Sequence, residues 1–72
     1  MTRRIKYHYE VIGWDDARPN CEAYHSNCTT KREALRVATA IKGRFDSIEV
    51  NRVAVDAGNP ENYLGVETIA NF

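Results

Sequence analysis

His8, His25, Cys21 and Cys28 are the residues of this chain whose donor atoms zinc prefers. Structural zinc sites draw such donors from tight pairs such as C-x₂₋₄-C, because a short spacer limits the entropy lost on closing the site. Here the patterns are Cys-x₆-Cys and His-x₁₆-His, and the spacing predicts neither a metal centre nor a cofactor. In an extended strand Cys21 and Cys28 would stand about 23 Å apart, against roughly 6 Å between the Cα atoms of a disulfide. They are expected to be free thiols in a reducing compartment. Nucleophilic catalysis needs a nucleophile, a base and an orienting group within reach. Cys28 with His25 is a conceivable pairing, but it carries no recognisable elbow or spacing. Asp15 and Asp16 are adjacent carboxylates in a loop, where they diverge into solvent instead of flanking a scissile bond. Gly13, Gly43, Gly58 and Gly65 are scattered and build no phosphate loop. The expectation is a protein without catalytic residues, hence not an enzyme.

Recognition surfaces are the remaining chemistry. Arg3, Arg4, Lys6, Arg32 and Arg36, together with Tyr7, Tyr9 and Tyr24, would suit nucleic acid if the aromatic rings stacked bases on a sheet. Tyr7 and Tyr9 share their parity with Ile5 and Val11, which instead points them into a core. Trp14 is the sole tryptophan and sits in a polar loop beside Asp15, Asp16 and Arg18. Tryptophan and arginine commonly anchor interfaces; the alternative is a Trp14 ring folded back over the end of a sheet. Arg32 and Arg36, one helical turn apart, form a second candidate patch, or else a plain solvated face. Trp14, Asp15, Asp16, Arg18, Arg32 and Arg36 are therefore the candidate protein-binding residues.

The elements that must position these groups can be read from pattern and punctuation. Ile5, Tyr7, Tyr9 and Val11 alternate with Lys6, His8 and Glu10, which predicts a strand over 3–13. Gly13 to Asn20 is a loop, and a second strand, Cys21 to Asn27, starts after Pro19, which has no donor for a ladder. Thr30 and Glu33 form a capping box, followed by an amphipathic helix with Ala34, Leu35, Val37, Ala38 and Ile41 on one side. Gly43 fits the left-handed position past its end. No second segment has this pattern. Ser47 to Asp56 reads as a third strand whose apolar parity changes between Val50 and Val53, from a bulge near Asn51 and Arg52 or from burial on both faces. Ala57 to Asn62 is a turn region, and Tyr63 to Ala70 a fourth strand. The order β-β-α-β-β predicts an α+β fold, one mainly antiparallel four-stranded sheet with the helix packed across one face and the other face bare unless a partner covers it.

Residues 1–72 form a single domain, too short for a thick core. No apolar run approaches the roughly 20 residues needed to span a membrane, and cytoplasmic residence is expected. Equal numbers of basic and acidic residues give zero net charge, +4 over residues 1–44 and −4 over 45–72. Zero net charge weighs against strong non-specific nucleic-acid binding, which rests on many phosphate contacts.

The run Thr-x-x-Glu-Ala-Leu-x-x-Ala, here Thr30, Glu33, Ala34, Leu35 and Ala38, resembles the N-terminal part of HicB-type antitoxins, although the Pro-x-x-x-Gly-Cys segment expected before the helix is missing. The whole β-β-α-β-β layout also resembles the small anti-CRISPR proteins of phages, most closely at the helix start and in the Ser47–Val55 strand. That resemblance implies a non-catalytic inhibitor of a CRISPR effector complex, in the host cytoplasm, acting by steric occlusion. A small nucleic-acid-binding module and an antitoxin-like regulator are the alternatives, and edge strands with an uncovered face would also allow a homodimer.

Overall fold

The computed structural model describes residues 4–18 and 20–72; the expectations that involved Arg3 and Pro19 lie outside them. Its elements are β1 (Ile5–Trp14), β2 (Glu22–Cys28), α1 (Lys31–Ile41), β3 (Ser47–Asp56) and β4 (Asn59–Asn71). The four strands form one antiparallel sheet in the order β2-β1-β3-β4, with α1 packed on one face. The fold is α+β with the predicted β-β-α-β-β order.

The helix forms where its signals place it. Thr30 is extended and its hydroxyl accepts from the Glu33 N–H at 3.1 Å, satisfying one orphan donor of the first turn. Gly43 adopts φ +92°, the region L side chains avoid, and turns the chain towards β3. Between these ends Ala34, Ala38 and Ile41 are buried, Leu35 and Val37 half-buried, and Arg32 and Arg36 exposed. The alanines let the helix lie close to the sheet, over Val11, Cys28, Ile48 and Val50.

The change of parity in β3 comes from burial on both faces. β3 runs against β1 without interruption from Ser47↔Trp14 to Asp56↔Ile5. Ile48 and Val50 face the helix, whereas Val53 and Val55, also buried, face the other side with Ile12. The irregularities lie in β4, where Ile69, Leu64 and the run 60–62 are extra residues against β3. Asn51 is the one buried polar residue among those described; its amide donates to Glu49 at 2.8 Å and its carbonyl accepts from Thr68 at 2.7 Å, so the burial leaves no polar atom stranded.

The β3–β4 connection is shorter than the sequence suggests. Asp56 pairs with Asn59, leaving only Ala57 and Gly58 in the turn, and the Asp56 carboxylate accepts from the Gly58 N–H at 2.9 Å. Pro60 lies within β4 but in a run, residues 60–62, that has no partner on β3, so on this edge strand its missing donor breaks no ladder bond.

Helix and sheet differ in length. Eleven helical residues span about 16 Å, ten strand residues about 33 Å, and the molecule extends over 47 × 25 × 15 Å. β2 stops at Cys28, opposite Tyr9. Beyond that point β1, β3 and β4 continue as a three-stranded extension with neither β2 nor α1 beside it.

At Gly13 an added Cβ would lie 2.9 Å from the Phe45 ring and 3.1 Å from the Tyr24 Cβ. Gly13→Ala is expected to cost about 1–3 kcal/mol by overpacking, and Thr30→Ala about 1 kcal/mol by loss of the cap. Each kcal/mol should lower Tm by about 4–8 °C in a domain of this size, read by thermal unfolding; an unchanged Tm for Gly13→Ala would refute the close packing there.

Candidate functional site

The six residues singled out by the sequence fall into two separate places. Trp14 closes β1 and is half-buried; Asp15 is half-buried, and Asp16 and Arg18 are exposed in the loop that follows. That loop is held by short bonds: the Arg18 N–H donates to the Asp15 carbonyl at 3.0 Å, and the Cys21 N–H to the Arg18 carbonyl at 3.2 Å. The Asp16 N–H donates to the Asp46 carboxylate at 2.6 Å, tying the loop to the segment before β3. Asp15 and Arg18 line a cleft of about 190 Å³ with Cys21, Glu22, Ala23 and Phe45. Phe45 stacks against Tyr24, with ring centroids 5.7 Å apart. Arg32 and Arg36 lie in the N-terminal part of α1, on its exposed side. It is the other end of α1 that approaches the loop, through Ile41 to Phe45, so the two patches are not one continuous surface.

The histidines meet through a carboxylate. Glu10 lies 4.0 Å from His8 Nε2 and 3.8 Å from His25 Nε2, and His25 Nδ1 lies 3.8 Å from Glu22. These contacts become ion pairs only when the imidazoles are protonated. Among the described residues no group of three or more His, Cys, Asp or Glu is placed to hold a metal ion. Cys21 and Cys28 are both free, the first exposed and the second buried under the helix. Burial, and next the negative charge of Glu33, push the Cys28 thiol above its ordinary range, against a smaller opposing hydrogen bond from Ser26.

A third place was not legible as a site in the sequence. On the three-stranded extension Ile5 is 51% exposed, Tyr7 45%, Tyr63 64% and Val66 60%. Ile5 and Tyr7 project on the helix side, where the helix no longer reaches; Tyr63 and Val66 sit opposite Val55 and Val53, on the other face. The Arg52 guanidinium lies 4.9 Å from the centre of the Tyr7 ring and donates to Glu67 at 2.7 Å. Both partners of that ion pair are well exposed, so it contributes at most about 1 kcal/mol. Tyr7, Arg52, Glu67 and Val66 border a shallow depression of about 230 Å³ whose remaining lining is the small pair Ala54 and Gly65. The parity of Tyr7 with Val11 suggested a core position, and the direction is right; the helix is too short to cover it. Tyr9, two residues nearer the helix, does pack against the core.

Comparison with protein-family models, with curated proteins and with solved structures finds no match.

The contrast between the thiols gives a measurable outcome. The Cys28 thiolate is disfavoured in the fold, so its contribution to stability is full below the ordinary thiol range and is lost as pH rises through the raised folded-state value. With a thiol-reactive disulfide reagent at mildly alkaline pH, the exposed Cys21 should react in the folded protein. Cys28 should react only through opening of the fold, and denaturant should equalise the two. Equal rates in the native protein would contradict burial of Cys28.

Proposed function

We propose that this chain is a non-catalytic protein-binding domain, an inhibitor or adaptor that acts by covering a surface of its partner. The observation carrying this reading is the set of exposed apolar side chains on the three-stranded extension, Ile5, Tyr7, Tyr63 and Val66. A chain of 72 residues has little apolar area to spare, and fully burying one large apolar side chain stabilises a fold by roughly 1.5–3 kcal/mol. Four such side chains nonetheless stand exposed at one end of this sheet. Tyrosine and arginine are enriched where protein surfaces meet; Tyr7 and Arg52 lie together on the helix-side face of the extension, and Tyr63 on its other face. The depression beside Tyr7 is smaller than the roughly 300–1,000 Å³ typical of small-molecule sites; it suits a single side chain of a partner. Trp14, Asp15, Asp16 and Arg18 at the opposite end, and Arg32 and Arg36 on the helix, serve in this reading as flanking contacts.

The resemblance to phage anti-CRISPR proteins adds a target class, a CRISPR effector complex blocked by occlusion. Its direct assay is target cleavage by purified effector complexes in the presence of increasing protein. Dose-dependent loss of cleavage supports it, and full cleavage across the effector types discards that form of the proposal.

The wider reading is tested with a photoreactive side chain in place of Tyr63 and, as a control, in place of Thr39 on the outer side of α1. Stoichiometric crosslinking of one protein partner is expected from position 63. The double variant Tyr7→Ser with Val66→Ser, folded by circular dichroism, should weaken capture by about tenfold or more. Undiminished capture by the double variant removes the extension as the contact. Capture that disappears on nuclease treatment and weakens steeply with salt points instead to nucleic acid.

A further inference from the structure

The extension has an edge as well as faces. The Ala57 N–H donates to the Arg4 carbonyl at 3.0 Å, so the backbone of Arg4 faces β3. In an antiparallel strand the N–H and C=O of one residue point to the same side, and successive residues alternate. Lys6 and His8 therefore also face β3, while Ile5 and Tyr7 face the opposite edge. Along β1 that edge is taken by β2 only from Tyr9 onwards, where Tyr9 pairs with Cys28. Two donors and two acceptors, those of Ile5 and Tyr7, thus open onto a step where no described strand lies. From the last pair at Cys28 the chain leaves the sheet through Thr29 and Thr30 into α1.

The charges around the step have one dominant sign. Arg4 and Lys6 are exposed, with the parity of the face away from the helix, and Lys31 and Arg32 are exposed at the start of α1, where Glu33 is the one carboxylate of the first turn. Ion pairs among the described residues involve His8, His25 and Arg52, and none of these four cations. Asp56, opposite Ile5, is already engaged. Two of the four stand where a helix does not favour them. Lys31 and Arg32 occupy the first turn, at the positive end of the helix dipole, and Arg32 faces a like charge, Arg36, one turn on. Cations held at positions that weaken the helix need a reason outside it.

We propose that the open edge of β1 at Ile5 and Tyr7 accepts an extended acidic segment of a partner protein as an added strand, continuing the line of β2. Main-chain hydrogen bonds supply the register, and Arg4, Lys6, Lys31 and Arg32 select carboxylates on the incoming strand. A second copy of this chain does not fit the edge. Antiparallel self-pairing of Ile5 with Tyr7 sets Lys6 directly against its own copy, a like-charge pair at the closest cross-strand spacing. The outer edge of β4 is the weaker candidate, because Pro60, the extra residues Leu64 and Ile69, and Glu61 and Glu67 are devices that discourage strand addition.

This inference rests on the partner-binding reading and is tested apart from it. The probe is a blocked synthetic peptide of alternating Glu and Val, with alternating Lys and Val as its control, titrated into isotope-labelled protein at low salt. Amide exchange of Ile5 and Tyr7 should be fast in the free protein and slowed by the Glu-Val peptide, with shift changes centred on residues 4–8 and 29–32. The Lys-Val peptide should bind about tenfold more weakly or worse. Ile5→Pro removes only an outward-facing donor, and it should weaken Glu-Val binding where Ile5→Ala does not. Equal binding of both peptides, shift changes centred on β4, or an Ile5→Pro variant that binds as well as Ile5→Ala would overturn strand addition. If Ile5→Pro still crosslinks a partner through position 63, strand addition fails while the partner-binding reading stands.

Discussion

A helix of about 16 Å lies on a sheet twice as long, and most features of this protein follow from that mismatch. Where the helix reaches, the sheet has a packed layer of Val11, Ile48 and Val50 beneath Ala34, Ala38 and Ile41. Where it does not reach, residues of the same parity become surface. Tyr9 and Tyr7 occupy equivalent positions two residues apart on β1; one packs against the core and the other is nearly half exposed. Nothing in the character of the side chains separates them. Only their distance from the end of the helix does.

The face the helix never touches has buried residues in both halves. Ile12 is buried there in the covered half, and Val53 and Val55, opposite His8 and Lys6, are buried there in the extension; the Glu49–Asn51–Thr68 hydrogen bonds run along the same face. Hydrogen bonds of this kind contribute modestly when made and cost more when one member is left unsatisfied. They therefore fix the register of β3 against β4 at the point where Ile69 is extra. A row of aliphatic residues and a satisfied amide together do for the second face what a second helix would do in a larger domain. This explains how β3 can be apolar in two parities without a bulge of its own.

How much of this could be read from the chain depended on whether the deciding contact was local. Thr30 and Glu33 announce the helix start and Gly43 its end, because caps act within one turn. Ser47 to Asp56 is legible because its β-branched residues crowd a short span. The start of β4 is not legible: Asn59, Pro60 and Asn62 are turn residues by preference, and only the break in pairing over residues 60–62 on an edge strand, a tertiary fact, makes Pro60 acceptable. The reading of β3 left a bulge and two-faced burial equally open, since parity alone cannot say on which strand an extra residue sits.

The candidate surfaces divide in the same way. Trp14 and its loop, and the Arg32–Arg36 pair, were visible as residue types, but their separation was not, because it depends on which end of α1 comes back towards Trp14. Tyr7, Tyr63 and Val66 were visible only as strand residues. One length comparison would have exposed them, since a capped helix of eleven residues cannot roof strands of ten. The step beside Ile5 and Tyr7 needs one further fact, the residue at which β2 stops pairing, and a chain fixes this only through register. A strand outlasting its neighbour leaves backbone donors and acceptors unpaired, and water satisfies them while the protein is alone. Under the strand-addition proposal, a partner strand would replace that water without disturbing any existing contact of the sheet. In a domain this small, an edge left open in this way is the least costly means of adding an interface to a fold that has no interior to spare.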